Sequence, residues 1–521
     1  MSAQDPLESE EPRPKEENSP AEELRPPRSL REWVLTELSE ESVLFVSVIK
    51  WFFLATAAGA VVGALTAFFL EVLAWGERLV APYPRAFLLV PLGLTASALL
   101  VRYLAPDAKG HGTEKVIEAV HFHGSHIRLR VIPVKLLATV VTLVSGGSAG
   151  KEGPAAQIGA GACSAMADLL HLEGPDRRKL VICGISAGFA TVFGTPIAGA
   201  IFGIEVLYCG RILYDVLLPA FVAGMTAYHV GTLLGVTYPL FPIPALPTGG
   251  GVHEPLLIQV GLAGIFFGLC AHLFIETLDV GESLSRRLRI GVVPKALFAG
   301  AALIGIGWLL SPDYLGLGVE VIQEAVAGEE IPDLAFFVKM VAVSLTLGFG
   351  GSGGVVTPMF FIGATAGNAF GQWLGLDPAL FAAFGLVALL AGGANTPIAG
   401  SIMAVELFGT EVGTYAAGAC VISFLMTGHR SVYPSQVLAF RKSASLAVPI
   451  GRALDHLPVG VRPREHTIVG TFVRVGREVQ RQLSRQRRRR AGTPQPSGKP
   501  TRTRGAQRPR PAPRGSNPPQ T

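Results

Sequence analysis

An internal repeat restricts this chain more than any other feature. Gly110-His-Gly-Thr-Glu-Lys-Val-Ile-Glu-Ala-Val120 answers Gly316-Leu-Gly-Val-Glu-Val-Ile-Gln-Glu-Ala-Val326. Val134-Lys135, with Thr-Leu seven residues on, answers Val338-Lys339 with the same spacing. Gly146-Gly-Ser-Ala-Gly-Lys-Glu-Gly-Pro154 answers Gly350-Gly-Ser-Gly-Gly-Val-Val-Thr-Pro358, and both run into Ile-Gly-Ala. Thr195-Pro-Ile-Ala-Gly199 answers Thr396-Pro-Ile-Ala-Gly400, each followed by a glutamate, Glu205 and Glu406. Four motifs in one order at nearly one offset imply two structurally equivalent halves. Repeats interrupted by Gly and Pro place a substrate site where the halves meet.

The solvent of that fold follows from composition. Of 521 residues, 49% are hydrophobic and only 16% charged, against about 25% charged in soluble domains. With long uncharged runs, this predicts an all-α polytopic membrane protein. Residues 1–41 are rich in Pro and Glu and read as a disordered acidic arm. They lack the opening of a cleaved signal, so the first membrane segment is expected to serve as its own. Val43–Trp75 is expected to be one tilted helix or two meeting near Gly59–Gly63, and Ala86–Leu104 a second span. Polar Ala108–Arg130 is followed by apolar pieces too short for a comfortable crossing, Val131–Val144 and Ala155–Leu170. Such pieces are what discontinuous helices look like in sequence. Fuller spans are expected at 213–237, 256–279 and 290–310, then more short pieces over 333–428. The first-half repeat is assigned to 42–237, the second to 238–440, and a Pro/Arg-rich, basic, largely disordered tail to 441–521.

Within this frame, Ser145–Gly159 concentrates the chemistry. Its glycines allow tight backbone and close approach. It carries one cation, Lys151, and one carboxylate, Glu152, and Pro154 suits a first helical turn. A glycine loop opening a helix presents unpaired N–H groups that favour an anion.

These residues carry a family resemblance. Gly150-Lys-Glu-Gly-Pro154 resembles the GKEGP signature of the CLC chloride channels and transporters. Gly110-His-Gly112 sits where that family has GSGIP, Gly354-Val-Val-Thr-Pro358 resembles GxFxP, and Arg130-Val-Ile-Pro-Val-Lys135 and Tyr433 also fall at family positions. The resemblance runs from about 43 to 440. It implies an inverted repeat of discontinuous helices and a homodimer with one anion pore per subunit. The partners implied are chloride or a similar small anion and the bilayer, with bound chloride ions and no other cofactor. The cytoplasmic CBS pair of some relatives has no counterpart here.

By the same resemblance Glu152 is the gate and proton carrier, since a carboxylate in a narrow anion path can occupy the anion's place when ionised and leave it when protonated. The anion site is assigned to His111, Gly150, Lys151, Gly153, the amides of Val355 and Val356, and the Tyr433 hydroxyl. Two departures stand out. His111 replaces the family's central serine, with Thr113 and Glu114 in place of Ile-Pro. Either its ring donates to the anion or it turns away and leaves the backbone to bind. Glu205 is followed by Val206 where exchangers have a second glutamate, which leaves Glu205 as the candidate internal carboxylate. The expectation is therefore a passive anion channel, with a proton-coupled antiporter as the alternative.

Other signals are weaker. Lys151 fails the P-loop pattern, which wants Gly at 145 and Ser or Thr at 152. His121, His123 and His126 read as a solvated loop rather than a metal site, and five isolated cysteines without CxxC as packing residues. Arg487–Arg490 is expected to face anionic lipid on the cytoplasmic side rather than nucleic acid. That side, with both termini cytoplasmic in an inner cell membrane, sets the expected topology. No nucleophile–base pair lies beside the loop, so an enzyme is not expected.

Overall fold

The computed structural model describes residues 30–238, 241, 254–457 and 462–463. Residues 1–29, most of the link between the halves and most of the tail lie outside it. The calls on the disordered arm before 30 and on Arg487–Arg490 therefore fall outside the described residues.

The first half comprises α1 (Leu30–Val80), α2 (Val90–Leu104), α3 (Thr113–Phe122), α4 (Val131–Val144), α5 (Glu152–Leu169), α6 (Gly174–Phe193), α7 (Pro196–Glu205) and α8 (Leu217–Leu233). The second half comprises α9 (Glu254–Arg287), α10 (Val292–Leu309), α11 (Val319–Ala327), α12 (Ala335–Gly348), α13 (Val356–Leu374), α14 (Pro378–Ala394) and α15 (Pro397–Thr427). Among the described residues, six helices are long and apolar enough to cross a membrane, lying in α1, α2, α8, α9, α10 and α15.

One expectation changes. Of the two readings of Val43–Trp75 the single helix holds, since α1 runs unbroken through it, but the arm expected through residue 41 gives way to that helix at Leu30. The arm's prolines end at Pro27, and the Leu- and Glu-rich stretch after it has good helix propensity. Within the short pieces expected over 333–428, α15 is interrupted at Gly409, which is non-helical (φ 83°, ψ 171°) and joins two helical pieces.

The repeat is visible in how helices start and stop. Pro opens α7, α14 and α15, a position where the missing N–H costs nothing. Gly194 ends α6 and Asn395 ends α14, both left-handed, at equivalent places in the two halves. The helix pairs cross through small residues. A Cβ on Gly184 of α6 would stand 2.5 Å from the Gly159 carbonyl of α5, and Gly385 of α14 meets Gly363 of α13 in the same way. Small residues let backbones close where lipid supplies no hydrophobic drive.

The layering is that of a membrane protein. Helices α5, α13 and α14 are almost wholly buried, while α1, α2, α8 and α10 expose apolar side chains such as Phe53, Leu92, Leu233 and Leu309. After α15 the chain returns to pair β2 (Val437–Leu438) in parallel with β1 (Tyr208–Cys209). The membrane body extends through Lys442 and resumes at Val448, and a separate unit begins with Ser443–Ala447 and continues from Gly460. In that unit Leu446 pairs with Pro463 and Ala447 with Arg462, antiparallel.

Candidate anion site

The two glycine loops meet. Gly150 donates to the Gly354 carbonyl at 2.8 Å and Gly354 donates back to Gly150 at 2.6 Å. Side chains support this contact in matching fashion. The Ser148 amide donates to Thr346 Oγ1 (3.0 Å), and the Ser352 amide to Thr142 Oγ1 (3.1 Å). Each half also buries one lysine. Lys135 Nζ donates to the carbonyls of Ala108 (3.2 Å) and Gly110 (2.7 Å), and Lys339 Nζ to those of Tyr314 (3.1 Å) and Gly316 (2.9 Å). Both lysines are fully buried. A buried ammonium needs such partners, and here it ties the α3 and α11 entry loops to α4 and α12.

Glu152 opens α5 and is 1% exposed. Its carboxylate reaches across to α13, accepting from the Thr357 amide at 3.1 Å (Oε2) and from the Thr357 hydroxyl (Oε1). Glu152 thus lies on the N-terminal end of the opposite half's helix, where partial positive charge favours an anion. Val355 is the N-cap of α13 and Val356 its first residue, both fully buried. The carboxylate takes the amide one residue beyond them.

Gly112, Gly153 and Gly354 converge on this point. A Cβ on Gly354 would stand 2.7 Å from the Gly153 nitrogen, and one on Gly153 would strike the His111 carbonyl. Gly112 has φ +77°, so it also serves the turn into α3. His111 therefore meets the site through its backbone, and its Nδ1 is buried with no hydrogen-bond partner among the described residues. Tyr433 is fully buried and its hydroxyl is likewise unpartnered. Thr113 lies close to it without hydrogen-bond geometry, and both Glu152 and Glu114 are within electrostatic reach. Half-buried Lys151 is the N-cap of α5 and lies within reach of Glu77 and Glu152.

Glu205 is placed differently. Its two oxygens accept from the amides of Ile398 (3.1 Å) and Ala399 (2.8 Å) at the start of α15. Glu406 does the reciprocal work for α7, accepting from Ile197 (3.0 Å) and Ala198 (2.8 Å). His121 Nε2 lies 2.8 Å from the Leu207 carbonyl, and its ring packs edge-on against Tyr208.

Sequence reasoning missed two residues here. Thr357 lies inside the Gly354–Pro358 motif with no predicted role, although a hydroxyl beside a helix start is the available signal. Glu114 stands in the sequence only as a replacement for Pro. Its Oε1 accepts from the Ser435 amide (3.0 Å) and the Ser435 hydroxyl, while Oε2 is buried without a partner.

Known proteins resemble the chain over most of its length. The family model described as "Voltage gated chloride channel" matches residues 92–428. A chloride/fluoride channel protein of Pseudomonas syringae pv. tomato is 36% identical over 77% of this chain and 90% of its own. An H(+)/Cl(-) exchange transporter of Salmonella schwarzengrund is 28% identical over 68% of this chain and 80% of its own. Among solved structures, a CLC-type fluoride/proton antiporter superposes with a TM-score of 0.71 at 27% identity, covering 75% of this chain and 98% of its own.

Proposed function

The chain belongs to the voltage-gated chloride channel family, and on that premise we propose that it is a proton-coupled antiporter of a small halide, with fluoride as the preferred ion. This reverses the order of the two modes expected from sequence, where the passive channel came first. One observation carries the reading. Glu152, the carboxylate in the constriction, lies docked on the start of α13 against Thr357, in the place an anion would take. Protonation removes its charge and frees those donors for the ion, so occupancy by proton and by halide become linked.

Fluoride is supported by the names of two relatives and by the chemistry of the site. It is small and strongly hydrated, so a site must offer strong donors in exchange for water. The Thr357 hydroxyl, the Tyr433 hydroxyl and a His111 ring N–H are of that kind, and the Tyr433 hydroxyl and His111 Nδ1 have no hydrogen-bond partner among the described residues. Chloride remains the alternative substrate. The protein is a multi-pass membrane protein. A homodimer with one pathway per subunit, set in the inner cell membrane with both termini cytoplasmic, completes the proposal.

The test uses the purified full chain in liposomes, with ion-selective electrodes for fluoride and chloride and a pH electrode outside. Fluoride efflux is expected with stoichiometric proton uptake, with chloride at least about tenfold slower. In Glu152→Ala, proton uptake falls to the background of empty liposomes. Halide efflux without proton movement in the native chain would return the passive channel to first place.

A further inference from the structure

We propose that Glu114 relays protons between Glu152 and the face of the membrane body where β1 and β2 pair. The inference rests on the antiport reading, which requires the Glu152 proton to reach both sides although the group is buried. Some second titratable group must then stand between Glu152 and one face.

Glu205 is poorly suited to that task. Both its oxygens are held by amides at the start of α15, so protonating it leaves a helix end unsatisfied. Glu114 has the opposite arrangement. One oxygen is anchored by Ser435, and the other is buried and free to take a proton. Two further unpartnered polar atoms lie near it, His111 Nδ1 three residues earlier and the Tyr433 hydroxyl two residues before the anchoring serine. Tyr433 lies within electrostatic reach of both carboxylates. Buried polar atoms that the protein does not satisfy line wet paths. The Ser435 loop leads directly into β2, which pairs with β1, and this sets the direction of the relay.

The repeat supplies a contrast. Glu320 occupies the place of Glu114 in the second half and is exposed. The first-half residue alone is turned into the body. The charged groups around Glu114 are Lys115 and Glu118 on its own helix, paired at 2.6 Å. Beyond them lie Lys135 of α4 beneath the His111 loop, Glu152 of α5, and Arg178 of α6 beside His121. The step is a bare proton transfer. The Glu152 carboxyl gives H⁺ to the Glu114 carboxylate, becomes a carboxylate itself, and no electrons move.

The experiment compares native chain, Glu114→Gln, Glu114→Asp and Glu205→Gln in liposomes, reading halide and proton movement together. Glu114→Gln is expected to lose at least about tenfold of the proton movement per halide, Glu114→Asp to recover it, and Glu205→Gln to stay coupled. Glu114→Gln added to Glu152→Ala reports folding, since halide flux in that background needs no proton. Native coupling in Glu114→Gln overturns the relay and leaves antiport standing, as does uncoupling by Glu205→Gln alone. Loss of halide flux in both Glu114→Gln and the double variant makes Glu114 a structural residue and overturns the relay too. Halide flux without protons in the native chain overturns antiport and the relay with it.

Discussion

The loops Gly146–Pro154 and Gly350–Pro358 share a scaffold but not a chemistry. Each is held by a threonine from the preceding helix of the other half, each stands behind a buried lysine, and each hydrogen-bonds the other. At the helix start the likeness ends. The first half places Glu152 there, whereas the second places Val355, Val356 and Thr357. One half supplies the movable charge and the other the donors that receive it. Equal halves build the position, and unequal residues make it respond to protons.

The largest effect tests the shared scaffold. Gly354→Ala puts a Cβ 2.7 Å from the Gly153 nitrogen, and Gly150→Ala puts one 2.5 Å from Glu152 Oε2, 3.0 Å from Pro358 Cδ and 3.2 Å from the Thr357 nitrogen. The Gly153 backbone on one side, and the docked Glu152 carboxylate with the Pro358 ring and Thr357 backbone on the other, leave little room to yield. Both variants are expected to lose transport at least about a hundredfold, measured as halide efflux from liposomes. A large loss in only one would mean that the loops do not share the work.

A smaller effect isolates what the halves do not share. Thr357→Val keeps the shape but removes the hydroxyl that donates to Glu152. A hydrogen bond to a charged group is worth about 1.5–3 kcal/mol, so coupled exchange should change by roughly tenfold or more while the melting temperature barely moves. Unaltered exchange would place the hydroxyl among the scaffold groups.

The smallest effect concerns the exchanged caps. Glu205→Gln and Glu406→Gln each remove a charge from a helix start while keeping one acceptor. Each is expected to cost about 1 kcal/mol, seen as similar shifts in thermal unfolding. A cost confined to Glu205 would show that it does more than hold α15.

Much of this was legible in the residues. The repeat, the glycine loops and Glu152 could be read because each is a local pattern, and the short apolar pieces did become α4, α5 and α7. For α1 the residues left one helix and two both open, since Gly59 and Gly63 look like breakers. In the structure they are contact points, where a Cβ would stand 2.5 Å from the Ala223 carbonyl and 2.7 Å from that of Ala227 on α8. The tasks of Glu205 and Glu406 were equally hidden. Each glutamate serves a helix some two hundred residues away, and no spacing rule reaches that far. Glu114 escaped for the same reason, because Ser435 is 321 residues on.

The exchanged caps also bear on how the protein is made. The amides of Ile197 and Ala198 wait for a glutamate 209 and 208 residues further along the chain. At roughly 5–20 residues per second of synthesis, that glutamate arrives on the order of tens of seconds later. Hydrocarbon does not tolerate bare amides for such a time. The first half must therefore leave the ribosome with the start of α7 still in contact with water or the insertion machinery, and it settles into the bilayer only as the second half completes it.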